Sequence, residues 1–578
     1  MRDAGRQHRL LALIIIGVIA GVAFTASLAS GLAGANPKRS LATYSHKQTL
    51  ITSGTQWGPI AGFNPYFGTY AVGTVGLCNE TLLRYDPLKD RYINWLAKSA
   101  GFSGKKTYTV KVRPGIRWSN GQKFTGKDVA VNFRLGRFST AFWHNLYGSL
   151  KSIKAKGLTV SFTFKSTPNY VQWQNLVWNL PIINPRQART ITSAAALEAY
   201  GQLNPIGTGP YALDPAGYDP TTRVVWKKKT AWWAAKQKLA PSPKPKYVAD
   251  IVNGNCPFEC WALQSEDLDN NYLPGVQQNV ASGRMQTYFP KAPYNLSANT
   301  SWLELNTTKP ALKDKRFRKA LATSIDIGNI VKNDYGNQVL RANATGLLPT
   351  WKKWVDQKQL KGLGFKYSTA KAKSMLAAAG YEDVNGDGYV ETPDGAVIDL
   401  KLAVPQGWSD WESARDMIIA SAKKAGIRLH KDEGDFNHWQ SERNSGAFDL
   451  VIDDNYQLSD NPWTYYNGIF HLPVRASQTA FNFGRYANAT AWSLTKQLDG
   501  TPPSNVAKRK ALVKKLQKIT LSELPIIPLW YNGAWAQWQS KYWKNWPSST
   551  STRNYTPIMW RGYMQMTAID MITHLKAA

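Results

Sequence analysis

Two stretches of this chain combine residue types and spacings that could do chemistry. The first is Pro205-Ile-Gly-Thr-Gly-Pro-Tyr211, with Gly207 and Gly209 two positions apart. Glycine-rich loops cradle phosphate when successive backbone N–H groups point inward, and a P-loop adds a lysine and a hydroxyl residue. Here Pro210 follows Gly209 and brings no N–H. No Gly-Lys-Ser/Thr follows, and the next charge is Asp214. The stretch reads as a shaped turn feeding a strand. The second is Asp383 to Asp394. Asp383, Asn385 and Asp387 stand at positions 1, 3 and 5, Gly388 at 6, Glu391 at 9 and Asp394 at 12, the spacing of a calcium loop. Position 12 is not the usual bidentate Glu, and the residues after it, Ile398 to Val404, look like a strand. A calcium loop and a plain acidic turn both remain open.

Little else suggests catalysis or a cofactor. The chain has neither a Gly-x-Ser-x-Gly elbow nor a His-Glu-x-x-His pair. Its seven histidines are scattered, and His430 and His438, eight apart, make a poor metal pair. Of three cysteines, Cys256 and Cys260 could close a small disulfide loop or stay as buried thiols, and Cys78 is left odd. With no histidine near the pair, zinc would lack ligands.

Positioning such groups takes several domains, because 578 residues exceed a single core. Leu158, Val160, Phe162 and Phe164 alternate with polar residues, which predicts a half-buried strand; Tyr108–Val112 and Leu400–Val404 read likewise. Asp314 is placed to cap a helix carrying Phe317, Leu321 and Ile325. Ser368 begins another that Gly380 stops. Ser409 with Glu412 forms a capping box for a helix ending near Gly426. Alternating strands and helices predict α/β domains with large mixed sheets and flanking helices. Gln237 to Lys246 reads as an exposed loop.

Residues 1–35 look like a signal peptide: Arg2, Arg6 and Arg9 precede an apolar run from Leu10 to Ala29, and Ala33-Gly-Ala35 offers a cleavage site. An uncleaved anchor is the alternative. An exported chain makes nucleic acid an unsuitable partner despite a net charge of +33, and attraction to an anionic cell surface suits the charge better. There are 24 tryptophans, and aromatic side chains serve both cores and ligand clefts.

Several stretches in order resemble one family. Tyr108 to Arg134, with Arg113-Pro-Gly-Ile-Arg-Trp118 and Asp128-Val129, is similar to a signature hairpin and helix. Pro205 to Tyr211 matches the family's P-[IV]-G-T-G-P-Y turn. Leu303-Glu-Leu-Asn306, Asp314 to Leu321, Ala379 to Gly388, Phe448-Asp-Leu450 and Glu523 to Leu529 follow. The chain thereby resembles the extracytoplasmic solute-binding proteins of ABC importers, family 5, of the peptide/nickel class. That resemblance implies a bilobed, periplasmic-binding-protein-like fold of three domains: a discontinuous domain I (36–80, 207–298, 526–578), domain II (81–206) and domain III (299–525). It implies an exported, periplasmic or surface-associated protein without enzyme activity. Oligopeptides are its expected solute, held between the lobes and passed to a permease and ATPase complex. An oligosaccharide ligand, or a surface-anchored sensor or adhesin, are the alternatives. In peptide binders of this family an Asp holds the ligand's amino group, in a pattern like W-x-x-D-x-x-x-P. Counted back from Pro462, that position is Leu458, with Asp454 and Asp460 nearby. The resemblance adds Asn64, Trp439, Trp463 and Tyr465 as candidate ligand contacts, and gives Gly207, Gly209, Pro210 and Tyr211 a structural role.

Overall fold

A computed structural model describes residues 41–55, 62–67, 70–201, 204–252, 258–264, 273–456, 458–560 and 562–578. The expected signal segment, 1–35, and Cys256 lie outside the described residues. Among the described residues no helix is long and apolar enough to cross a membrane. The chain divides into two compact units. One takes the described residues of Met1–Asp267, Asn279–Pro290 and Ala534–Ala578; the other takes those of Leu268–Gln278 and Lys291–Gly533.

The first unit holds a seven-stranded mixed sheet and a separate four-stranded one. In the larger sheet Thr49–Thr55 runs parallel to Tyr247–Val252, which pairs antiparallel with Arg223–Lys228. The smaller sheet is antiparallel: Ala97–Ser103, Thr107–Val112, Thr159–Phe164 and Leu150–Lys156. The alternation read from the sequence holds there. Val160, Phe162 and Phe164 are buried, with Phe162 packed on Phe133 and Trp173 and Phe164 on Trp173, while the intervening residues are half-buried; Leu158, in the turn before the strand, is half-buried too.

The Gly-x-Gly turn is a clamp. A β-carbon on Gly207 would collide with the Cys78 carbonyl, and one on Gly209 with the Leu77 carbonyl. This closeness lets Gly209 N–H donate to the Cys78 carbonyl at 2.8 Å and Tyr211 N–H to that of Leu77 at 3.0 Å. The N–H groups that a phosphate would need thus bond the chain itself. Tyr211 is buried, and its hydroxyl donates to the Pro245 carbonyl. The Gln237–Lys246 stretch is therefore not wholly exposed: Pro243 and Pro245 are buried, and the Pro243 carbonyl accepts from Lys228.

The second unit is built on a six-stranded mixed sheet. In spatial order its strands are Leu340–Arg341, Ile526–Ala534, Leu296–Leu305, Leu450–Tyr456, Leu400–Pro405 and Leu429–Gly434. Leu296–Leu305 pairs antiparallel with Leu450–Tyr456, and the last two strands are parallel. Asp314 caps Lys315–Ser324, accepting from Arg316 N–H, and Phe317 and Leu321 are buried. Ser368 caps Thr369–Ala378, and Gly380 beyond its end has a positive φ. The capping box at Ser409 is not realised. Trp408 occupies the cap, Ser409 is the first helical residue, and Glu412 reaches back to accept from Gly407 N–H. Gly407, just before the cap, adopts a positive φ that glycine takes without strain.

Candidate functional site

In the second unit one face of the sheet gathers polar side chains beside Asp454. Asn299 and Ser301 lie on Leu296–Leu305, and Ser301 is directly opposite Asp454 on the neighbouring strand. Trp530 and Asn532 lie on Ile526–Ala534, where alternation puts them on the face opposite Tyr531. Asn299 Nδ2 donates to Asp454 Oδ2 at 2.8 Å, and Asn532 Nδ2 donates to the same oxygen at 3.3 Å. Two neutral amides therefore orient the carboxylate from one side. Asn299 and Ser301 are fully buried, yet Asn299 Oδ1, Ser301 Oγ and Trp530 Nε1 have no hydrogen-bond partner among the described residues. Buried polar atoms cost about 1–3 kcal/mol each when unpaired, so three on one face make it a candidate site for a polar guest. Acceptors (Asn299 Oδ1, Asp454) stand with donors (Ser301 Oγ, Trp530 Nε1).

On the opposite face lies a buried charge cluster. Glu304 Oε2 accepts from Trp302 Nε1 at 2.6 Å, and Oε1 accepts from Gly484 N–H. Burial, aided by the Asp453 charge, pushes the Glu304 carboxyl up to about 8. Burial also raises Asp453, against the pull of Arg443, which donates to it at 3.0 Å. The Arg443 guanidinium stacks on Trp439 and Phe483. In the first unit the buried Glu80 accepts from two indoles, Trp95 and Trp233, each at 2.8 Å, and burial raises its carboxyl.

The other residues singled out from the sequence occupy separate places. Asn64 is buried; its amide donates to the carbonyls of Leu197 and Glu198, and its oxygen accepts from Tyr66 N–H. Trp439 packs with Trp408, Trp411 and Phe436. Trp463 is buried and donates to the Thr495 carbonyl. Tyr465 is buried against Trp302 and Gly346. Asp460 is half-buried and accepts from the Asn461 amide. Leu458, at the register of the amino-group Asp in peptide binders, is buried.

In the acidic loop the oxygens meet protein donors. Asp383 accepts from the N–H groups of Gly386 and Gly388, Asn385 from Asp387 N–H, and Asp387 from Tyr389 N–H and Arg428. Glu391 turns inward to bond Val384 N–H and the Asn385 amide, and Asp394 accepts from Thr392. Among the described residues no group of three or more His, Cys, Asp or Glu side chains is arranged to hold a metal ion. His430 and His438 pair with different carboxylates, Asp399 and Asp432. Cys260 is disulfide-bonded, and Cys78 is a buried free thiol.

Sequence reasoning missed Asn299, Ser301, Trp530 and Asn532. The signal was present: Ser297-Ala-Asn-Thr-Ser301 is a polar run directly before the apolar end of a buried strand.

Residues 91–475 match the family described as bacterial extracellular solute-binding proteins, family 5 Middle. The oligopeptide-binding protein AppA of Bacillus subtilis is 24% identical over 527 residues, covering 89% of this chain and 91% of that one. The crystal structure of a Thermotoga maritima oligopeptide ABC transporter, periplasmic oligopeptide-binding, superposes with a TM-score of 0.85 at 31% identity, covering 92% of this chain and 99% of that one. A second crystal structure of the Thermotoga protein, with mannohexaose bound, superposes at 0.79 over the same share of both chains.

Proposed function

This chain belongs to the bacterial extracellular solute-binding proteins of family 5 and is the solute-binding component of an ABC importer; from that premise we propose that its solute is an oligosaccharide. It is a binding protein, not an enzyme. The observation that carries the proposal is the polar face around Asp454, where unpartnered donors and acceptors stand side by side. Sugar hydroxyls both donate and accept, so one glycan can satisfy Ser301, Asn299 and Trp530 together. The buried Leu458 at the amino-group register removes the acid that a free peptide would use. The mannohexaose-bound Thermotoga relative, at 31% identity, supports the same reading.

Oligopeptide capture is the second reading. Asp454 favours it: the carboxylate is half-buried, its Oδ2 is held by neutral amides, and an ammonium could neutralise it. The Bacillus relative supports it too. In either case the solute passes to a permease and ATPase complex. Export by the 1–35 segment and the three-domain division belong to this proposal. Every strand of the seven-stranded sheet falls in the domain I segments and the whole four-stranded sheet in 81–206, which supports that division.

Native mass spectrometry of the protein purified from its own culture tests the solute. Bound masses in hexose or pentose steps support the glycan. Amino-acid increments overturn it in favour of the peptide.

A further inference from the structure

The helix Val506–Glu523 buries Arg509, Leu512, Val513, Leu516, Gln517, Thr520 and Leu521 and turns its other face to solvent. That outer face carries Lys508, Lys510, Lys514, Lys515 and Lys518, all exposed. Its one acid, Glu523, sits at the last residue and pairs with Lys315 at 3.0 Å. The buried Arg509 is directed inward to the Thr501 carbonyl. Two neighbouring elements extend the face: the packed helix Gln357–Leu363 exposes Lys358 and Lys361, and the turn Pro349–Trp354 exposes Lys352 and Lys353. The carboxylate among them, Asp356, pairs with Lys514 at 2.7 Å.

This arrangement costs the isolated fold. Lys510, Lys514 and Lys518 succeed each other at four-residue spacing, where like charges repel by about 0.2–0.5 kcal/mol per pair. Lys508 and Lys510 lie near the helix N-terminus, where cations are disfavoured. Among other helices of the unit, Ser409–Lys424 mixes its charges, with Asp410, Glu412, Arg415 and Asp416 before its terminal lysines, Lys315–Ser324 is basic but pairs Lys315 with Glu523 and Arg316 with Asp314, and Thr369–Ala378 carries only Lys371 and Lys373. The segregation of lysine on one face is thus a local feature beyond the net charge of +33.

We propose that this lysine face docks the protein onto an anionic lipid bilayer. Lysine is a hydrated point charge on a flexible stem and suits a diffuse layer of headgroups better than a shaped bidentate site. Each lysine near such a surface adds attraction, and the term falls away within a Debye length. The exposed side chains of the face are lysines with few apolar anchors, so contact is peripheral and does not insert. The inference rests on the importer reading, which puts a membrane within reach, and names the surface that faces it.

The test is co-sedimentation of the full chain with vesicles of phosphatidylcholine alone or with about one-third phosphatidylglycerol. The variant Lys508→Glu/Lys510→Glu/Lys515→Glu/Lys518→Glu is compared with Lys371→Glu/Lys373→Glu/Lys423→Glu/Lys424→Glu, an equal charge change at exposed sites on other helices of the unit. The expected result is binding to the anionic vesicles only, weakened at least about a hundredfold by the first variant and much less by the second. Equal loss in both would reduce the effect to net charge and overturn the proposal. Absence of vesicle binding, with retention on a soluble polyanion such as heparin, would overturn it in favour of a polymer partner. Thermal melts verify that both variants fold. Ligand-induced melting shifts, unchanged in the first variant, keep this outcome separate from the importer reading.

Discussion

Gly207 lies so close to Cys78 that any β-carbon on the glycine would overlap the cysteine's carbonyl oxygen. The contact is backbone against α-carbon, so no side-chain rotation can relieve it. It locks the turn before Tyr211 onto the segment before Glu80, and it explains why a Gly-x-Gly spacing here closes a fold instead of a phosphate loop.

Gly207→Ala should therefore lower stability by about 3 kcal/mol or more, at the upper end of overpacking effects. Gly101→Ala, with nothing within 4 Å of its added methyl, should change it by less than about 0.5 kcal/mol. Denaturant titration of both variants checks the contrast.

The Cys78 thiol is buried, and burial, with the charge of Glu80 as a further cause, pushes it up to about 12. Thiolate is the reactive form, so a thiol reagent at pH 8 should leave Cys78 unlabelled in the native protein. Labelling should appear only in denaturant, and peptide mapping reads the site.

Arg443 and Asp453 are almost completely out of solvent, with side-chain exposures of 3% and 6%. Removing the cation leaves a buried carboxylate uncompensated and strips the stack on Trp439 and Phe483. Arg443→Ala should cost about 3–5 kcal/mol, measured by equilibrium unfolding. An effect under about 1 kcal/mol would mean that water replaces the guanidinium.

Glu304 is raised from 4.5 to about 8 and Asp334 from 3.8 to about 7, both chiefly by burial. A carboxyl raised on folding binds its proton more tightly in the native state. Its contribution is fully present below the unfolded value and is lost as pH rises through the folded one. Between about pH 4.5 and 8 the protein should lose stability relative to Glu304→Gln. A difference in melting temperature that stays flat across that window would contradict the assignment.

Asp454→Asn tests the proposed solute site. A glycan hydroxyl keeps an acceptor in the amide, so its affinity should fall by about tenfold. A peptide ammonium would lose its charge partner and fall much further, beyond about a hundredfold. Calorimetric titration with mannooligosaccharides and with peptides separates the two, and the melting temperature of the free variant should shift little.

Much of the framework was legible in the residues alone. Strand alternation at Thr159–Phe164, the cap at Asp314 and the stop at Gly380 are local effects, set by side-chain period, a capping oxygen and a positive φ. The order of short motifs reached the family for the same reason: each motif is contiguous in sequence. The site was less legible. Trp439, Trp463 and Tyr465 stand close in sequence, yet they pack in different places, against Trp408, Thr495 and Trp302. Asn299 and Asn532 stand 155 and 78 residues from Asp454, on three different strands, and the three meet only through sheet order.

The sequence by itself determined the local elements, the apolar patterning, the charge balance and the family resemblance, because each depends on neighbours along the chain. The tertiary structure decided that Gly207 presses on Cys78, that Glu304 is buried near enough to Asp453 to feel its charge, and that two amides converge on Asp454. Burial and strand pairing bring together residues that no spacing rule connects, and desolvation then gives those groups properties that their residue types alone do not have.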